Sequence, residues 1–360
     1  MASLTETSII ARKIIRYGIY AVILIMIARV TFIAGKGVYQ RLFPAPPPEP
    51  TVDFGKLPML ALPPRAQQGN LTFQLETPDG NLPTFPDQTK VYVMPPFSAS
   101  IGDEDRAKDK ARKLGFSANG EPYENVKNIY RFEKNSTPST LVMNIITGIF
   151  SISYDISSDP AVVNKTPPPP EDAIKTVTGL LNGAGVMSED LTGPRTHQFL
   201  RLENGSFVNA VSLSDAKAIK VNLFRKNYGD EFPGVTPNAD EANVWFILGG
   251  ETGPRQIILA EFYYYPIEKD RYGTYPLKTA ETAWEKLKNG QAYIANMGTH
   301  KDGDTIVIRR VYLAYYDAGQ YAEFYQPVIV FDEANNQGTS FTAYVPAVTD
   351  EWYGAESSSE

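Results

Sequence analysis

One run of residues constrains this chain more than any other. Residues 17–28 (YGIYAVILIMIA) carry no charge, and after Arg29 the apolar stretch resumes as VTFIAG to Gly35. Together they make about 19 residues, close to the ~20 that cross ~30 Å of hydrocarbon at about 1.5 Å per residue. The run predicts a membrane-spanning helix that anchors the chain in lipid. Tyr17, Ile23, Leu24, Ile27 and Phe32 belong to its apolar surface, and Arg29 is its one charge. An Arg at mid-helix costs about 2.5–3.5 kcal/mol on insertion scales. Arg29 lies past the middle, where its long stem can reach toward the headgroups. A cleaved signal peptide would have a shorter run and small residues at its cleavage site, and a core helix is rarely apolar on every face.

Arg12, Lys13 and Arg16 precede the run, and Lys36 and Arg41 follow it. These charges nearly balance, so orientation rests on the short leading stretch and the long following domain. Both predict a single-pass protein of the plasma membrane with its C-terminal domain outside the cytoplasm. Residues 1–43 carry a net +5, which leaves the rest of the chain at −12 within a total of −7. An acidic domain argues against nucleic acid as a partner. The absence of cysteine removes disulfides, thiol nucleophiles and Cys-ligated metals together, and fits an exported bacterial protein.

After the cytoplasmic stub and anchor (1–43) comes a Pro-rich tether, 44–66, whose eight prolines between 44 and 64 forbid regular helix. Where it is polyproline-like it extends near 3.1 Å per residue. Phe54, Leu57, Met59, Leu60 and Leu62 are too apolar for a plain spacer and predict that it docks on the folded domain.

Beyond the tether the pattern is helix, then strands, three times over, over 67–166, 167–275 and 276–349, with a disordered acidic tail at 350–360. In the first unit a charged helix spans 103–114 before Gly115, followed by strands at 128–135 and 140–156. In the second, Glu171 and Asp172 open a helix through about Leu181, with Gly183 and Gly185 ending it. Strands follow near 196–203, 217–226, 242–249 and 255–265. There Ile219, Val221 and Leu223 lie on one face, and Lys220, Asn222 and Arg225 off it. Residues 227–241 read as a long polar loop. In the third, Thr279 caps a helix over 279–290, ended by Gly290, with strands at 304–316, 323–332 and 339–346. Lys301–Asp304 and Asn335–Gly338 are turn sequences.

The third unit carries a family likeness. Its helix with Ala283, Trp284, Leu287 and Gly290, its strand with Val311, Leu313, Tyr315 and Tyr316, and its Gln326, Pro327, Val328 and Phe331 together resemble the YycH/YycI group of membrane-anchored regulatory proteins. More loosely they resemble PepSY-like domains. The resemblance covers residues 276–346 and implies an α+β ectodomain that is not an enzyme. Members of the first group contact a sensor kinase through the membrane helix and ectodomain, and PepSY domains are linked with modulating peptidases.

No motif names a reaction. His197 and His300 lie about 100 residues apart without ligand spacing. His300, Asp302 and Asp304 could offer hard ligands, but KDGD is first a β-turn. Gly249–Gly253 lacks the following helix that a phosphate cradle needs and reads as a hairpin. Glu261 and Glu268 are a carboxylate pair compatible with many roles. No catalytic residue, metal ligand or cofactor is expected. Of the 21 tyrosines, Tyr263, Tyr264, Tyr265, Tyr272 and Tyr275 are the candidate partner surface, because neighbours along a strand face opposite ways. Sheet packing explains them equally well.

The expected fold is α+β: one transmembrane helix, then two or three units of a helix on an antiparallel sheet. The expected function is a non-enzymatic envelope module that binds or regulates through protein contacts. A structural or assembly component of an envelope complex is the second expectation, and an envelope hydrolase the third.

Overall fold

A computed structural model describes residues 4–42, 48–64, 70–123, 126–229, 232–334 and 340–354. The turn expected at Asn335–Gly338, the tail from 355 and parts of the tether (44–47, 65–66) lie outside these residues. The chain forms two compact units, Met1–Glu49 and Pro50–Glu360.

The first unit is a helix, α1 (Leu4–Leu42). Its segment Ile15–Ile33 is long and apolar enough to cross a membrane, and none of it is buried. Tyr17, Ile23, Leu24, Ile27 and Phe32 are all exposed along it, as is Arg29.

The second unit is α+β. Three further helices form where the sequence periodicity places them: α2 (Asp103–Lys113), α3 (Pro170–Ala184) and α4 (Ala280–Lys288). α3 begins with Pro170 at a position where its missing N–H costs nothing. Glu171 and Asp172 sit in its first turn, and Ala173, Val177, Leu181 and Ala184 face the core. Gly185 closes it at φ +70°, while Gly183 stays within the helix. At α4 the Thr279 hydroxyl accepts from Thr282 N at 3.2 Å.

The strands of residues 121–262, except Gly234–Val235, join in one nine-stranded sheet. Its order is Glu121–Pro122, Ile129–Glu133, Ser139–Asn144, Phe150–Tyr154, Ile257–Phe262, Val244–Leu248, Ala218–Leu223, Arg195–Glu203 and Ser206–Asn209. The segments expected as first and second units meet in it where Phe150–Tyr154 pairs antiparallel with Ile257–Phe262. α2 and α3 share one apolar core over it, with Phe132, Met143, Phe246 and Val221. The strand expected over 140–156 is a hairpin, turned by Asn144, whose Oδ1 accepts from Ile146 N and Thr147 N, and by Gly148 at φ +74°.

The polar face of Ala218–Leu223 is buried as well, contrary to the half-buried strand expected from its alternation. Lys220 pairs with Glu241 and lies 4.1 Å from the Trp245 ring centroid, and Asn222 Oδ1 accepts from Ala242 N at 3.2 Å. Each buried polar group there keeps a partner, as low dielectric requires.

The second sheet runs Gly234–Val235, Arg310–Tyr316, Phe324–Asp332, Thr342–Pro346, Tyr293–Asn296, with Gln88–Val93 pairing both Phe324–Asp332 and Glu268–Pro276. Its central strand, Phe324–Asp332, is buried at every residue. α4 covers one face through Ala283 and Leu287, against Leu313, Ile329, Phe331 and Val345. The strand expected over 304–316 breaks at Arg309 into Thr305–Ile308 and Arg310–Tyr316. Thr305–Ile308 pairs in parallel with Thr72–Leu75.

The tether segment packs on this unit. Leu57 is fully buried and joins Tyr353 by a parallel bridge. Phe54 stacks on Tyr275 and Phe324, and Leu60 and Leu62 pack against the sheet face opposite α4. Met59 alone among the apolar residues named above is largely exposed. Within the segment expected as the tail, Asp350–Trp352 forms a short 3-10 turn, and Tyr353 after it is buried against Leu57.

Candidate functional site

The break at Arg309 creates the most distinctive feature of the second sheet. Arg309 N donates to Asp332 O at 3.0 Å, while Arg310 opposes the same Asp332 in register. Two residues against one is a bulge, and it reverses which residues turn their backbone groups outward. Beyond it, Tyr315 N donates to Pro233 O and Asp317 N to Val235 O, each at 2.8 Å. The alternation therefore points the N–H and C=O of Val311 toward that same outer edge. Among the described residues the edge is occupied only at its two ends: by Thr72–Leu75 alongside Thr305–Ile308, and by Gly234–Val235 alongside Tyr315 and Tyr316. Between them lies a groove of about 550 Å³, lined by Thr77 to Pro83, Pro233 and Arg309 to Tyr312. Leu82, Pro78, Pro83 and Val311 make it mainly apolar.

Across the ridge made by Arg310 and Tyr312 lies a second cavity of about 500 Å³, on the sheet face opposite α4. Its walls are polar: Asp240, Asp332, Ser340, Thr342 and Tyr344 join Arg310 and Tyr312. Arg310 pairs with Asp332 Oδ2, while Asp332 Oδ1 accepts from Ala334 N at 2.7 Å. Asp240 accepts from the Asn296 side chain. Burial, and secondarily the Asp332 charge, raises the Asp240 carboxyl above the usual carboxylate range, against the opposing Asn296 hydrogen bond. Burial raises Tyr312 to about 12. The Tyr344 hydroxyl is buried without a hydrogen-bond partner among the described residues.

A third polar cluster is filled. Arg225, only 2% exposed in its side chain, donates to Asp190 Oδ2 at 2.5 Å, Asp317 Oδ2 at 2.6 Å and Tyr265 O at 2.6 Å. Tyr228 and Tyr264 donate to Asp190 at 3.1 and 2.8 Å. Burial pushes Asp190 up, but the Arg225 charge and the hydrogen bonds to its carboxylate outweigh it and hold it below the usual range. The space beside the cluster is about 10 Å³, room for no more than a water. It is a joint between the two sheets.

The tyrosines proposed as a surface have separate fates. Tyr275 is fully buried, its hydroxyl accepting from Phe54 N and donating to Gly55 O, each at 3.0 Å. Tyr265 is buried against Phe97. Tyr264 belongs to the Arg225 joint, and burial raises its hydroxyl to about 12. Tyr263 is half-buried. Tyr272 is the one largely exposed, with Lys90 Nζ 4.0 Å from its ring centroid. Of the five tyrosines expected as a partner surface, Tyr264, Tyr265 and Tyr275 are turned into the joint, the core and the tether contact instead.

The other residues read from sequence are also placed. His197, exposed on its strand, meets the Phe199 ring edge-on at 5.2 Å between centroids. His300 Nε2 lies 3.0 Å from Glu333 Oε2, and its Nδ1 3.8 Å from Asp304. No three His, Cys, Asp or Glu side chains among the described residues are grouped to hold a metal ion. Gly249–Gly253 joins the antiparallel strands Val244–Leu248 and Ile257–Phe262. Glu268 pairs with Arg271, and Glu261 stands on the nine-stranded sheet opposite Trp245. Asp240, Arg310, Asp332 and Thr342 carried no sequence signal, because they converge from a loop and three strands far apart in the chain.

No family model matches the chain, and no curated protein matches it. Among solved structures it is similar to an uncharacterized protein from Eubacterium rectale. That likeness has 13% identity and a TM-score of 0.41, over 79% of this chain and 90% of that one.

Proposed function

We propose that this chain is a membrane-anchored, extracytoplasmic binding module that acts through protein contacts, in the manner of the YycH/YycI-like regulatory proteins its third unit resembles. The observation that supports this reading most is the apolar groove of about 550 Å³ beside Arg309 to Tyr312. An unpaired edge strand invites another chain, and natural proteins normally block it. Here short strands occupy both ends of the edge, and no strand among the described residues pairs the stretch between them. An extended partner segment adding there would gain main-chain hydrogen bonds at Val311 and place alternate side chains against Leu82 and Pro233. The helix α1 holds the unit at the membrane surface where such a partner is met.

The test is photo-crosslinking in intact membranes, with a photoreactive amino acid at Leu82 or Tyr312. Ile101 and Val211, fully or nearly fully exposed elsewhere, serve as control positions. Defined adducts from the groove positions alone are expected. No adduct, or equal adducts from the controls, would remove the reading.

A second reading, an envelope hydrolase, draws on Asp240 and Asp332 sharing one polar cavity. Asp332 is already held by Arg310 and a backbone amide, which leaves Asp240 without a free acid–base partner. Hydrolysis of a polymeric envelope substrate that Asp240→Asn abolishes would favour it over binding alone.

A further inference from the structure

We propose that the cavity between Asp240, Arg310, Tyr312 and Tyr344 is a binding site for a sugar unit, a neutral ring bearing several hydroxyls. The site is distinct from the edge groove and stands whether or not a protein docks there.

Size comes first. A cavity of about 500 Å³ lies within the roughly 300–1,000 Å³ of small-molecule sites.

The free hydrogen-bonding capacity then selects the ligand. Only one oxygen of Asp240 is engaged, by Asn296, so the other is an acceptor open to the cavity. Arg310 uses one terminal nitrogen on Asp332 and is otherwise exposed, so donors of its planar fork remain. The Tyr312 hydroxyl has no hydrogen bond among the described residues, whereas the Tyr344 hydroxyl is fully buried beneath the cavity wall. The vacant set is therefore one strong acceptor, planar donors and one phenol that can do either. Neighbouring hydroxyls on a ring match it, since each donates to a carboxylate and accepts from a guanidinium.

Charge and hydrogen-bonding pattern together disfavour the simpler alternatives. Two carboxylates against one guanidinium repel phosphate or a carboxylate ligand. An ammonium would satisfy Asp240 but has no acceptor for the Arg310 donors. A purely apolar ligand would strand the polar walls. The Tyr312 ring, which borders both cavities, offers a C–H-bearing sugar face a surface to lie on.

The experiment uses the full chain in lipid nanodiscs, which avoids sugar-headed detergents. Saturation-transfer NMR and calorimetry are run with glucose, galactose, N-acetylglucosamine and a β1,4-linked disaccharide of the last. Spermidine and inorganic phosphate serve as charged controls. At least one sugar should bind saturably with Kd in the millimolar range or tighter. Asp240→Asn should weaken it at least tenfold, and Tyr312→Phe severalfold, with the thermal midpoint unchanged. Tyr312→Phe keeps the test valid should Asp240→Asn unfold. The proposal is overturned if no sugar binds below about 10 mM, if spermidine or phosphate binds in preference, or if binding ignores Tyr312→Phe and every Asp240→Asn sample that folds.

Discussion

Replacing Arg225 by Ala tests how the two sheets are held together. The Arg225, Asp190 and Asp317 side chains are only 2%, 4% and 8% exposed. Removing the guanidinium leaves two carboxylates facing each other without their counter-charge, and leaves the Tyr265 carbonyl without its donor. Breaking a buried pair costs about 3–5 kcal/mol, because an uncompensated charge stays in low dielectric. At about 1.36 kcal/mol per decade, the folding equilibrium should shift by roughly 150- to 5,000-fold. That is a large fraction of the 5–15 kcal/mol typical of a folded domain. The assay is urea unfolding of the full chain in micelles, followed by the fluorescence of Trp245, Trp284 and Trp352. A triple variant, Arg225→Met with Asp190→Leu and Asp317→Leu, separates charge from packing. Apolar replacement of a whole buried network is often neutral or stabilising, so it should recover most of the loss. A single variant costing under about 1 kcal/mol, or a triple no better than the single, refutes the argument that charge compensation holds this joint.

Further outcomes follow from the same structure. The Asp190 carboxyl is held below its unfolded value, so its stabilising contribution is fully present above pH ~4. It is lost only as pH falls through the lower folded value; urea midpoints of the wild type that began to fall near neutral pH would contradict this assignment. Tyr275→Phe removes the hydroxyl that bridges Phe54 N and Gly55 O, which should cost about 1–3 kcal/mol and expose the tether around residues 52–57 to limited proteolysis; an unchanged cleavage pattern would show that the tether is held otherwise. At Gly193 a Cβ would lie 2.1 Å from Arg225 O, so Gly193→Ala should destabilise the joint by 1 kcal/mol or more, read as a lowered thermal midpoint. Exchanging residues 17–35 for a plain polyleucine span should preserve membrane fractionation; preserved partner crosslinking as well would assign α1 to anchoring alone.

The sequence by itself determined what depends on neighbours a few residues away. The apolar run of residues 17–35 defines a helix suited to lipid. Pro170 with Glu171 and Asp172, Thr279, and glycines 115, 185 and 290 mark helix ends through local backbone preferences. The apolar residues of the tether required a surface to lie on, and Phe54, Leu57, Leu60 and Leu62 found one. Only tertiary structure decided the rest. Strand alternation cannot tell a solvated polar face from one covered by other polar partners, so Lys220, Asn222 and Arg225 looked exposed and are buried. Tyr264, Tyr265 and Tyr275 are stationed by Asp190, Phe97 and Phe54, residues 74, 168 and 221 positions away. The bulge at Arg309 comes from pairing with a strand over twenty residues on, and it turns the backbone N–H and C=O of Val311 toward the outer edge. Asp240, Arg310 and Tyr344 meet at one cavity because a loop and two strands converge there, a juxtaposition that no spacing along the chain encodes.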